Sequence, residues 1–126
     1  MIGIYDDMWT ANIIKIKFSA IENDNLRTLF MTLHNPYWRK TAVDLQITCN
    51  GNPISEPKKI KAGRKFNLSF SLPEGGAIIE MNISPTFNPA RIGLSVDSRE
   101  LGLRCLCCEL ASRSGKHNLL YPGRDA

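Results

Sequence analysis

The chain contains no apolar run close to the ~20 residues that a membrane-spanning helix requires, so no membrane span is expected. Its first residues, MIGIYDDMWTANIIKIKF, carry acids where a secretory leader needs a basic segment followed by an apolar one, which predicts a cytoplasmic location. Histidine is scarce. His34 and His117 have no Cys or Ser partner at a motif spacing, which leaves nucleophilic catalysis without its usual pair. Cysteine occurs only as Cys49 and the cluster Cys105, Cys107 and Cys108, and a C-x-C-C without a second pair is not a zinc site, so no metal and no cofactor are expected. In a cytosolic protein these thiols should stay reduced and pack as small hydrophobes. Excess charge is small as well. Of the formal net charge of +4, residues 111–126 supply Arg113, Lys116 and Arg124 against Asp125, leaving +2 for the body. That is too little and too scattered to indicate nucleic acid as a partner.

Helical periodicity is also missing: no window of eleven or more residues shows a capped i, i+3, i+4 apolar stripe, and one turn at SRELGLR is the most expected. What the chain has instead is a period of two. IIKIKF (13–18), TLFMTLH (28–34), AVDLQITC (42–49), KFNLSFSL (65–72) and IIEMNIS (78–84) each alternate apolar and polar residues, the pattern of a half-buried strand. Turn chemistry separates them: Asn50-Gly51 is a hairpin signal, PEGG (73–76) breaks the chain, and Asn35 and Asn88 each precede a proline. The expected fold is all-β: an antiparallel two-sheet β-sandwich, jelly-roll-like, with little or no helix. Residues 1–110 form its single domain and residues 111–126 a basic C-terminal tail, whose Leu119, Leu120 and Tyr121 are expected to dock. In the last strand, LGLRCLCCEL, either both faces are covered or a bulge near Leu106 and Cys107 turns Leu103, Cys105, Cys108 and Leu110 inward together.

Three pieces of the chain, GIYDDMW (3–9), SPTFNPARIGLSVDSRELGLR (84–104) and the closing CLCCEL (105–110), stand in an order and at a separation that resemble one known family. This is the carbohydrate-binding-module-like β-sandwich domain appended to many bacterial glycosyltransferases. Tyr5, Asp7, Trp9, Thr86, Phe87, Pro89, Ala90, Asp97, Arg99, Leu101 and Gly102 are the family-like positions, while Met8 stands where the family usually has glycine. The resemblance implies a jelly-roll-like sandwich linked to glycan or polysaccharide metabolism; the candidate partners are a saccharide, a glycosyltransferase or a second copy of the chain.

No residue is assigned to catalysis. A sugar site without catalysis needs exposed aromatic faces flanked by planar donors and carboxylates. The residues that supply these groups are Tyr5 and Trp9 near the start, Tyr37 and Trp38 in NPYWRK, and Arg91, Asp97 and Arg99 in the closing stretch. Local readings compete: Trp9 as an end plug, Phe87 as a core anchor, Asp97 as the cap of the DSRE turn, and Arg99 as a tie to Asp6 or Asp7. The alternatives to a carbohydrate-binding module are an assembly module, which oligomerises or docks on a glycosyltransferase, and a small glycan-active enzyme. The enzyme would need a carboxylate pair drawn from Asp6, Asp7, Asp97 and Glu100.

Overall fold

The computed structural model describes residues 1–19 and 26–120. Among the described residues ten strands and one 3-10 turn follow in chain order: β1 (Ile2–Ile4), β2 (Thr10–Phe18), β3 (Thr28–His34), the turn Tyr37–Arg39, β4 (Val43–Cys49), β5 (Asn52–Pro53), β6 (Lys58–Ile60), β7 (Lys65–Ser71), β8 (Ala77–Ser84), β9 (Arg104–Ser112) and β10 (Gly115–Asn118). One sheet runs β1-β2-β8-β4-β5, with β6 also on β4, and the other runs β10-β9-β3-β7. Every pairing is antiparallel. The long strands β2, β3, β4, β7, β8 and β9 alternate between the two sheets, which gives the sandwich its jelly-roll-like connectivity.

The alternating residues meet between the sheets as expected. Ile14 and Ile16 of β2, Val43, Leu45 and Ile47 of β4, and Ile79, Met81 and Ile83 of β8 face Leu29, Met31 and Leu33 of β3, all of them buried. Each such side chain contributes roughly 1.5–3 kcal/mol by leaving water. Phe66, Leu68 and Phe70 are only half-buried, because β7 is an edge strand with a neighbour on one side. At the predicted hairpin, Asn50 (φ 52°) and Gly51 (φ 85°) both take positive φ, and Cys49 pairs with Asn52 across the turn.

The closing strand resolves through a bulge. Thr32 of β3 lies opposite Cys107 and Leu33 opposite Cys105, so Leu106 is the extra residue and points outward. The parity swap buries Leu103, Cys105 and Cys108, and half-buries Leu110 against the core. All four cysteines are free thiols. β9 continues to Ser112 and β10 returns along it, after which Leu119 and Leu120 pack on the core and the Leu119 N–H donates to the Cys108 carbonyl at 2.8 Å. Tyr121, expected to dock with them, lies outside the described residues.

Candidate functional site: a groove at one end of the sandwich

Two loops build this end: Asn35–Thr41, between β3 and β4, and the stretch from Pro85 to Leu103 that joins β8 to β9. The second loop is closed by Thr10, where β2 begins. Thr10 is fully buried, its N–H donates to the Leu103 carbonyl at 2.8 Å, its Oγ1 accepts the Leu103 N–H at 2.9 Å, and its carbonyl accepts the Gly102 N–H at 2.7 Å. Gly102 is required by this close approach, since a Cβ there would sit 2.5 Å from Thr10 Oγ1 and 2.7 Å from the Ala11 carbonyl.

Arg99 ties the same loop to the amino terminus. Its Nη2 donates to Asp7 at 2.6 Å and to Asp97 at 2.7 Å, its Nε donates to Asp97, and its guanidinium lies 4.6 Å from the centre of the Tyr5 ring. Asp97 also accepts the Arg99 backbone N–H at 3.0 Å, the capping role read from the sequence, and Asp7 rather than Asp6 is the distant partner. The shared guanidinium holds both carboxyls below the usual range, and its bonds to Asp97 and Asp7 push the Arg99 pKa up in turn. Neither acid is therefore a proton donor near neutrality, which a glycosidase acid must be. At the turn between Tyr5 and Trp9, Met8 adopts φ 71°, a left-handed conformation that glycine takes without strain.

Beside this clasp sits a cluster of three rings. Trp9 and Phe87 are 5.2 Å apart, Trp38 and Phe87 5.5 Å, and Trp9 and Trp38 6.1 Å, all edge-to-face. Phe87 makes reciprocal backbone bonds with Leu101 at 2.9 and 2.7 Å, but its side chain is half-buried and lines the groove instead of joining the core cluster, so it is not the core anchor expected. Trp38 is placed by the 3-10 turn, which follows Pro36 and closes on Lys40 at φ 60°, with the Lys40 N–H donating to the Tyr37 carbonyl. Asn35 holds the turn from below. It is fully buried, and its side-chain amide donates to the Thr41 carbonyl at 2.8 Å and the Ile60 carbonyl at 3.0 Å.

In front of the rings lies a groove of about 320 Å³, lined by Trp38, Arg39 and Thr41 from the first loop and by Pro85, Thr86, Phe87, Ile92 and Leu94 from the second. That volume falls at the small end of ligand sites. Trp38 is 41% exposed and neighbouring Tyr37 is 77% exposed. Arg39 crosses the loops: its guanidinium donates to the carbonyls of Gly102 and Pro85 and lies 4.8 Å from the Phe87 ring centre. Burial pushes its pKa down to about 10, and no ion pair of the described residues involves it. A second depression, of about 380 Å³, is lined by Lys17, Phe18, Ser19, Asn50 and Gly75–Ile78, and offers no exposed aromatic ring.

Of the seven residues singled out in the sequence, Trp38 lines the groove, Trp9 backs it and Tyr37 stands exposed beside it. Tyr5, Asp97 and Arg99 belong to the clasp, and the Arg91 guanidinium pairs with Glu100 at 3.4 Å on the surface. Arg39 entered the sequence reading only as part of NPYWRK and Thr86 only as a family-like position, while Thr41, Ile92 and Leu94 were not singled out. Among the described residues no cluster of three or more His, Cys, Asp or Glu is placed to hold a metal ion, and no helix is long and apolar enough to cross a membrane.

No protein-family profile matches the chain, and no curated protein matches it. Among solved structures it is similar to the EclA C-terminal domain, described as a sugar-binding protein, with a TM-score of 0.51 and 16% identity over 87% of this chain and 74% of that one. It is also similar to a family 35 carbohydrate-binding module from Clostridium thermocellum, with a TM-score of 0.47 and 11% identity over 84% of this chain and 72% of that one. At these identities the first likeness speaks to the fold, which agrees with the all-β sandwich expected from the sequence.

Proposed function

We propose that this chain is a non-catalytic carbohydrate-binding module of glycan or polysaccharide metabolism, acting in the cytoplasm alone or beside a glycosyltransferase. The observation that carries the reading is the groove fronted by Trp38. A half-exposed indole, held edge-on by Trp9 and Phe87, presents an apolar face at a concave site where the same loop supplies the Arg39 guanidinium and the other wall supplies Thr86. Pyranose rings bind to such surfaces by stacking an apolar face on the aromatic and meeting fixed polar groups with their hydroxyls. The fold shared with a sugar-binding domain supports the reading without carrying it.

A panel of soluble saccharides followed by tryptophan fluorescence tests this reading. A saturable change in emission is expected for the wild type and for no Trp38→Ala sample, at equal thermal stability. Trp9→Ala should lower stability instead, because its ring supports the other two. Silence across the panel from a folded wild type would sink the reading.

One observation favours an assembly role as a second reading. Val96 is 98% exposed, and Ile92 and Leu94 are more than half exposed on the same loop, aliphatic groups that suit a protein surface better than a sugar. Concentration-dependent self-association lost on Val96→Ser with Leu94→Ser would establish it.

A further inference from the structure

The charge that looks scattered in the sequence gathers at one place in the fold. Five of the eight residues from Lys58 to Lys65 are cationic and none is acidic. The turn within this run packs on the loop that presents Tyr37: the Asn35 N–H donates to the Arg64 carbonyl at 3.0 Å, the Gly63 N–H donates to the Asn35 carbonyl at 2.7 Å, and a Cβ on Gly63 would lie 3.4 Å from that of Tyr37. Lys40 caps the Tyr37–Arg39 turn, and Lys40, Lys61, Arg64 and Lys65 are all exposed. Across the second sheet, His34 is paired with Lys65 on one side and Arg104 on the other. The ion pairs of the described residues engage Lys15, Lys59, Arg91 and Arg99, so that Lys40, Lys58, Lys61, Arg64 and Lys65 take part in none of them, while Lys59 pairs with Asp44. Burial, with Arg104 and Lys65 adding to it, holds the His34 pKa down, and Arg39 sits half-buried with backbone carbonyls as its acceptors.

From this juxtaposition of an aromatic groove and an unpaired cationic rim we infer that the site takes an anionic glycan, one carrying carboxylate or phosphate groups. The inference rests on the carbohydrate-binding reading and names its substrate class. Arg39 is the cation inside the groove, and Lys40, Lys61, Arg64 and Lys65 form the rim that attracts the polymer. A single-stranded nucleic acid would need a track of several stacking platforms along a basic channel. Among the described residues this end exposes Tyr37 and Trp38 beside a groove sized for one or two sugar rings, while the Arg99 guanidinium lies over the Tyr5 ring.

Matched polymers separate the possibilities. Polygalacturonate is compared with its fully methyl-esterified form and phosphomannan with neutral mannan, with an oligothymidylate as the other polyanion, all at 50 and 300 mM NaCl. At least one anionic glycan should bind on the order of tenfold more tightly than its neutral partner, the sum of several screened surface contacts, and lose that advantage at the higher salt. The variant Lys61→Glu with Arg64→Glu should erase the preference while leaving the melting temperature unchanged, since neither side chain bonds to another described residue; Trp38→Ala should abolish binding altogether. Which arm responds tells a carboxylate from a phosphate ligand. Equal affinity for charged and neutral forms would overturn the inference and leave the module reading intact. Binding to the oligothymidylate that matches the glycans and survives Trp38→Ala would replace it with a general polyanion surface. No binding to any polymer, from a folded wild type, would overturn both.

Discussion

The variant Asn35→Asp tests whether one buried amide holds the groove together. The side chain is fully buried and its nitrogen donates two bonds, to the Thr41 carbonyl at 2.8 Å and the Ile60 carbonyl at 3.0 Å, while its oxygen has no partner among the described residues. Aspartate has nearly the same shape, so no cavity is created and only the donors are lost. Two carbonyls then face an acceptor in place of a donor. Each unsatisfied buried group costs about 1–3 kcal/mol, so a loss of roughly 2–5 kcal/mol is expected, or about 10–20 °C in melting temperature for a chain of this size. The loss must also depend on pH. Burial disfavours the charged carboxylate and raises its folded pKa above the unfolded ~3.9, so the variant binds more protons folded than unfolded and loses stability as pH rises through that window. Guanidinium unfolding at pH 5 and pH 8, with m-values checked for constancy, should show a larger deficit at pH 8. Asn35→Ala, which carries no charge, should show a deficit independent of pH. A deficit for Asn35→Asp below about 1 kcal/mol and equal at the two pH values would refute the reasoning.

Two further variants probe the closure of the fold. Gly102→Ala places a methyl group 2.5 Å from Thr10 Oγ1 and 2.7 Å from the Ala11 carbonyl, and should cost about 1–3 kcal/mol or more by overpacking, measured by thermal unfolding; a change below 0.5 kcal/mol would show that the loop shifts freely. Arg99→Met removes the cation that lowers the pKa of Asp7 and Asp97. Because their folded pKa values lie below the ordinary 3.8, the stability they contribute is present above that pH and is lost as pH falls through the folded values. The gap between wild type and variant should be full at pH 6 and should close in acid, and a gap that stays constant down to pH 2 would mean the clasp is not electrostatic.

The strands were legible because each buries one face, and a period of two in Ile14–Phe18 or Val43–Cys49 has no other physical meaning. Asn50-Gly51 fixed its hairpin for an equally local reason, the positive φ of both residues. The bulge at Leu106 was readable only as one of two options, because a chain apolar on both faces does not say where the extra residue falls; the register against Thr32 and Leu33 decides it. The clasp was half legible. Opposite charges at the two ends of the chain suggested a tie, but the choice of Asp7 over Asp6 depends on the turn that ends at Met8, with its left-handed backbone.

The groove was the least legible feature, and the reason is tertiary. Net charge averages over the chain, so the run from Lys58 to Lys65 vanished into a modest total until β6 and the turn after it were folded against Tyr37 through Asn35. Arg39 looked like one cation in a polar loop, and only the approach of Pro85, Phe87 and Gly102 makes it a half-buried strut. The aromatic residues carry a further ambiguity that composition cannot resolve. Trp9 and Phe87 plug the end of the sandwich and also form the back of the groove, so removing either perturbs fold and site together. Trp38 differs in being half exposed at the groove's front while taking no part in the sheets, so a binding defect in Trp38→Ala at unchanged stability reports on the ligand. The rim cations are more separable still, because their side chains brace nothing and their backbones do. Groove and charge can thus be broken separately, at Trp38 and at Lys61 with Arg64, while Asn35, which ties the turn to both, perturbs them together through the fold.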